Sequence, residues 1–316
     1  MPGQLRDRIR QPLVEIPNSL GAPDSLKIAP FRILRRAWLR PSRGIAMNEW
    51  LLIYLALGSF TGFMAGLLGV GGGGILVPLF TMMFAAQGFS DSHLMHMALG
   101  TAMTTIVFTS VSSFRAHHKH GAVLWPVVRA IAPGIVLGTL TGAQIATQMP
   151  TRGLAIFFAV FMGYTAIQML LDIKPKPSRN LPGKAGMFGV GLGIGGISSM
   201  VAIGGGGLSV PFMTWCNVKI HNAIGTSSAI GFPIAVAGTV GYMVNGYAAM
   251  QEGALPSGSF GFIYLPALFG TVLSSVIAAP FGVKLAHKLK VGVLKKIFAC
   301  MIMLLVAKMM HTVFAA

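Results

Sequence analysis

Acid, charge of any kind and cysteine are all scarce in this chain of 316 residues. Only 7 residues are Asp or Glu, against 24 Lys and Arg. Charged residues make up 10% of the sequence, where a soluble chain carries about 25%. None of the few acids falls inside an apolar block. That excludes intramembrane aspartyl chemistry, carboxylate proton relays and acidic cation rings. The two cysteines, Cys216 and Cys300, cannot build a disulfide scaffold or a four-thiolate metal site. Disorder is excluded as well, since it requires low hydrophobicity.

Hydrophobic residues, by contrast, make up 54% of the chain, and the mean hydropathy is +0.72. Too little polar surface remains to cover a water-soluble globule of this size. The composition is that of an integral membrane protein whose first partner is the lipid bilayer. The net charge of +17 does not point to nucleic acid. Nine cations cluster within residues 1–46, and the rest sit between apolar blocks, as membrane-flanking anchors do.

The apolar blocks are Trp50–Leu68, Ile75–Ala86, Leu94–Phe114, Val123–Thr147, Leu154–Leu171, Ala185–Ile203, Leu208–Cys216, Ala223–Val244, Phe260–Pro280 and Val291–Phe314. Eight are near the roughly 20 residues a helix needs to cross the hydrocarbon. Ile75–Ala86 and Leu208–Cys216 are too short to cross unaided. Alternating ten-residue strands, the mark of a membrane barrel, are absent. The expected fold is an all-α membrane protein, a polytopic helical bundle of eight long and two short helices.

The sequence is also doubled. Leu68-Gly69-Val70-Gly71-Gly72-Gly73-Gly74-Ile75-Leu76-Val77-Pro78 recurs as Val201-Ala202-Ile203-Gly204-Gly205-Gly206-Gly207-Leu208-Ser209-Val210-Pro211. His96-Met97-Ala98-Leu99-Gly100-Thr101 recurs as His221-Asn222-Ala223-Ile224-Gly225-Thr226, and Gly138-Thr139 as Gly270-Thr271. Residues 1–46 then read as a basic tail, 47–171 and 185–316 as two transmembrane repeats, and 172–184 as a proline-rich linker. With the linker's Lys174, Lys176, Arg179 and Lys184 placed in the cytoplasm, Arg115, Lys119 and the run from Lys284 to Lys296 fall inside too. Gln87–His93 and Asn245–Gly258 fall outside, as the positive-inside rule requires. An odd number of crossings per half makes the repeats inverted. The basic tail contradicts this orientation, unless translation starts at Met47, the reading preferred here. The alternative is a cytoplasmic tail with a re-entrant Ile75–Ala86.

Each glycine run separates a long apolar block from a short one. Irregular backbone at membrane depth is tolerated where it lines a cavity or is buried in protein. The helix that follows presents first-turn N–H groups with no partner and the positive end of its dipole, which together favour an anion. The candidate substrate-binding residues are therefore Gly71, Gly72, Gly73 and Gly74, with Gly204, Gly205, Gly206 and Gly207 in the second half. Pro78 and Pro211 are expected in or just after the first helical turn. The competing explanation is close helix packing, which suits the four-residue spacing of Gly58, Gly62 and Gly66, and of Gly134, Gly138 and Gly142. Neither run continues into Gly-Lys-Ser/Thr, so a nucleotide loop is excluded, and no cofactor is called for.

Thr101 and Thr226 occupy matched positions, where a hydroxyl could reach an anion or bond back to its own helix. Ser198, Ser199, Ser227 and Ser228 are weaker candidates of the same kind. His117, His118 and His120 read as a solvated loop, because Arg115 and Lys119 would repel a metal. His96 and His221 read as interfacial polar residues. Arg129 reads as snorkelling to the headgroups.

The doubled Gly-x-Gly-Gly-Gly…Pro, each copy followed by Ala-x-Gly-Thr, resembles the TauE/SafE sulfite exporter family of anion permeases. The residues concerned are Gly69–Gly73 with Pro78 and Ala98–Thr101, then Ala202–Gly206 with Pro211 and Ala223–Thr226. The resemblance covers about residues 47–316. It departs in the basic tail, in Ala202 for the first glycine and in a longer Gln87–His93 connection. It implies transport, not an enzyme, in a bacterial-type plasma membrane, with sulfite, sulfonates or related organic anions as substrates. A homo-oligomer is compatible with all of this.

Overall fold

The computed structural model describes residues 47–68, 72–171, 178–286 and 291–315. The tail at 1–46, residues 69–71 including Gly71, and residues 172–177 of the linker lie outside the described residues, and the choice of start between Met1 and Met47 lies there with them. The first half contains α1 (Met47–Leu68), α2 (Gly73–Ala86), α3 (Leu94–Lys119), α4 (Trp125–Gln148) and α5 (Thr151–Leu170). The second contains α6 (Lys184–Val201), α7 (Gly206–Trp215), α8 (Ile220–Asn245), the five-residue α9 (Tyr247–Gln251), α10 (Leu265–Ala286) and α11 (Val291–Ala315). Eight helices (α1, α3, α4, α5, α6, α8, α10 and α11) are long and apolar enough to cross a membrane. At 1.5 Å per residue α2 and α7 reach only about 21 and 15 Å, short of the roughly 30 Å hydrocarbon core.

Packing follows a reciprocal pattern. Helix α1 lies along α10, and α6 lies along α4, so each half's first helix embraces the other half's third crossing helix. The glycine stripes make this closeness possible. A side chain at Gly58, Gly62 or Gly66 would overlap Thr271, Ser275 or Ala279 of α10. One at Gly134, Gly138 or Gly142 would overlap Phe188, Leu192 or Gly196 of α6. Both pairs run parallel, since the contacting positions ascend together. Helices α3 and α10 are parallel too, joined by a Thr105–Thr271 hydroxyl pair at 3.3 Å and a Ser112 hydroxyl donating to the Val276 carbonyl at 2.9 Å.

The centre is made by α3 and α8, the most buried of the spanning helices. They cross antiparallel: Gly100 meets Tyr242, Gly238 meets Met103, and the Ser113 hydroxyl reaches Ser228 at 3.4 Å. Buried polar side chains among the described residues are serines, threonines and two histidines, with no ionised group. Large apolar side chains such as Leu52, Val160, Phe269 and Leu304 cover the outside, as a lipid-facing surface requires.

The block Phe260–Pro280 departs from expectation. Helix α10 begins at Leu265, and the preceding residues form a hairpin of β1 (Ser259–Phe260) and β2 (Ile263–Tyr264). The Tyr264 N–H bonds the Thr101 hydroxyl rather than a helical carbonyl. Gly261, at its turn, packs against the Met243 backbone. These contacts reach across the chain, and apolar composition alone does not register them. The short α9 is a further addition to the two short helices expected.

Candidate functional site

Helix α2 is initiated by Gly72, whose φ of 78° is in the left-handed region that glycine adopts at no steric cost. Its carbonyl accepts from the Ile75 and Leu76 N–H groups at 3.1 and 3.0 Å. Gly205 plays the same part for α7, with φ of 91°, accepting from Leu208 and Ser209. Ala202 is also left-handed, at φ 48°, which costs an L-residue about 1–2 kcal/mol. Four N–H groups then have no acceptor among the described residues: Gly73 and Gly74 on α2, Gly206 and Gly207 on α7. Each pair opens a helix at its positive end.

The start of α2 meets the segment that leads into the second run. A side chain on Gly73 would overlap the carbonyl of Ala202, two residues before Gly204. The remaining side-chain directions are also filled. Gly72 faces the Thr61 carbonyl, Gly74 the Met162 side chain, and Gly205 the Ser227 carbonyl at 3.0 Å. Gly207 is half-buried, with the Ile203 side chain 3.2 Å from its side-chain position. Packing and amide exposure therefore coexist in the same residues. Gly204 is held close to Gly231 of α8.

Pro78 and Pro211 are each the sixth residue of their helix, just after the first turn and past the residues whose N–H groups have no intrahelical acceptor. A residue there would donate to Gly74 or Gly207, so both carbonyls lose a backbone partner. The prolines therefore stand just after the first turn, as expected, but the N–H each lacks is one a helix would have used.

Thr101 and Thr226 are fully buried and do not bond back to their own helices. The Thr226 hydroxyl accepts from Leu124 N–H at 2.9 Å, at the start of α4. The Thr101 hydroxyl accepts from Tyr264 N–H at 3.0 Å, at the start of α10. Each threonine thus caps the third crossing helix of the opposite half. This reciprocal cap was invisible in the sequence, although the matched Gly-Thr pairs marked both positions.

Among the described residues four buried hydroxyls lack a partner: Ser198 on α6, Thr139 on the facing α4, Thr239 on α8 and Ser259 in β1. Ser199 is satisfied by the Gly196 carbonyl, and Ser227 and Ser228 bond the Ile224 carbonyl. His96 is buried rather than interfacial: its Nε2 contacts the Ala146 and Met149 carbonyls, and its ring lies against Phe262 and His93. Just outside the span, burial holds the His93 imidazole below its ordinary pKa, with the Glu252 carboxylate opposing the shift. His221 and Arg129 are exposed.

Among the described residues, eight helices able to cross a membrane around an interior without buried Asp, Glu, Lys or Arg define a polytopic membrane protein, and its relatives place it among the transporters. The chain belongs to the sulfite exporter TauE/SafE family, whose model matches residues 54–309. A probable membrane transporter protein of Haemophilus influenzae is 35% identical over 83% of this chain and 99% of its own length. The probable membrane transporter protein YdhB of Bacillus subtilis is 27% identical, over 59% of this chain and 76% of its own. YunE of the same organism, also described as a probable membrane transporter protein, is 26% identical over 66% and 86%. No solved structure matches the chain.

Proposed function

We propose that this transporter carries a small oxyanion such as sulfite, a sulfonate or a related organic anion, held between the opening amides of α2 and α7. The observation that carries the reading is the approach of the two halves at Gly73 and Ala202, beside two short helices that each open with two adjacent N–H groups lacking acceptors among the described residues. Such donors bind negative charge without needing a cation of their own. The interior fits this role, since the described residues bury no Lys or Arg that would hold an anion too tightly to release.

Movement is by alternating access between two inverted halves, in the plasma membrane. The antiparallel crossing of the matched α3 and α8 supports the inversion. So does the approach of α5 to α11, where Arg152 reaches Phe314 at 5.8 Å while Met162 and Ile302 share a neighbour in Gly74. Inverted repeats that meet at broken helices near the midplane are a recurrent design of secondary transporters.

The test is flux into liposomes with sulfite, sulfoacetate and chloride, comparing wild type with Gly207→Pro and Gly207→Ala. Both variants add a side chain, but only proline removes the amide donor, at a helix position where no backbone bond is lost. Gly207→Ala is expected to keep saturable sulfite transport. Gly207→Pro is expected to weaken half-saturation by about tenfold or more, the loss of one hydrogen bond to a charged partner. Equal transport by both variants and wild type overturns the site. Uptake linear in concentration, without counterflow, would instead indicate a channel.

A further inference from the structure

A groove of about 670 Å³ lies on the outside of the bundle between the C-terminal halves of the parallel helices α3 and α10. Its floor is apolar, with Phe108 and Val111 from one helix and Val276 and Pro280 from the other. Phe108 is 46% exposed there. At the helix ends the same groove turns basic, lined by Arg115, Lys119 and Lys284, all exposed. From Phe108 to Lys119 an α-helix rises about 16 Å, close to the depth of one leaflet.

No described acid neutralises these cations. Glu49 opens α1, which is parallel to α10; Asp91 precedes α3; Glu252 faces His93, the residue before α3. All three sit at the opposite end of the bundle. Cations do complement the negative ends of two helices. Helix ends alone do not explain the pattern, however, because the Gly-Thr match aligns Arg115 and Lys119 with Val240 and Val244 of α8. The first half therefore carries paired charge where the second carries valine.

We propose that this groove binds one anionic phospholipid, its phosphate on Arg115, Lys119 and Lys284 and an acyl chain along Phe108, Val111, Val276 and Pro280. The combination of a leaflet-deep apolar trough and an uncompensated basic end matches a molecule with a negative head and a hydrocarbon tail. By the positive-inside rule this end faces the cytoplasm, where anionic headgroups attract basic juxtamembrane residues. The inference does not depend on the glycine loops or on the transported anion.

The test is native mass spectrometry of the delipidated full chain, titrated with phosphatidylglycerol, phosphatidylcholine and the tail-less glycerol phosphate. Phosphatidylglycerol is expected to occupy one saturable site about tenfold or more tighter than phosphatidylcholine, with glycerol phosphate failing to compete. The triple variant Arg115→Gln, Lys119→Gln and Lys284→Gln should abolish that preference. Val111→Trp, which fills the trough without changing charge, should weaken both lipids. Equal binding of the two lipids overturns the proposal on the unmodified chain, whatever the folding of the variants. Competition by glycerol phosphate as strong as by phosphatidylglycerol overturns it in favour of a vestibule for free anions. Unchanged selectivity in a folded triple variant overturns it as well.

Discussion

Thr101 and Thr226 show what one hydroxyl does when it lies fully buried between the two halves. Each accepts a backbone N–H from the segment that starts the other half's third crossing helix. Removing the acceptor strands that N–H in an apolar setting, which costs about 1–3 kcal/mol. Thr101→Val and Thr226→Val are accordingly expected to lower the thermal unfolding midpoint in detergent, while Thr101→Ser, which keeps the oxygen, stays near wild type. If valine at either position leaves the midpoint unchanged, the caps contribute nothing. The matched Gly-Thr pairs drew attention to these positions from sequence alone, but their partners lie more than a hundred residues away along the chain. Nothing local in the sequence distinguishes a cap of that kind from a ligand contact.

Among the elements, the pairs α1–α10 and α4–α6 depend on the absence of side chains at regular intervals. Four-residue glycine spacing made both stripes legible in the sequence, because residues so spaced share one helix face. A methyl at Gly62 would overlap the Ser275 backbone, whereas one at Gly163 would meet nothing within 4 Å. Gly62→Val is therefore expected to destabilise by about 1–3 kcal/mol, the usual consequence of overpacking. Gly163→Ala should be neutral or slightly stabilising, since alanine favours helix more than glycine does. Thermal unfolding of the two variants side by side checks the difference; similar midpoints would show that α1 and α10 are not held at this spacing. The hairpin before α10 was not legible in the same way. Phe260–Tyr264 is apolar enough to continue a helix, and only its fit against Tyr242, Met243 and Gly246 makes it turn.

At the scale of the whole molecule, charge is segregated along the bundle: the described acids are at one end, and Arg115, Lys119 and Lys284 are at the other. Orientation in the membrane follows from that segregation and can be read with an impermeant thiol reagent. Cys216 is buried and Cys300 exposed, so Cys300→Ser gives a suitable background. In intact cells, Ser90→Cys is expected to label from outside and His120→Cys only after the membrane is opened. The reverse pattern would place the basic groove, and any lipid in it, in the outer leaflet.

Composition and periodicity were enough to determine a membrane bundle, its eight crossings, its doubled plan and the glycine runs that break it. Those features are local: they depend on the length of apolar runs and on residues a few positions apart. Tertiary structure alone decided that Gly73 of the first run lies against Ala202 before the second, that the paired threonines serve opposite halves, and that three scattered cations share one groove with an apolar floor. Each of these joins segments distant in the chain, and a helix's own sequence carries no record of which neighbour will face it.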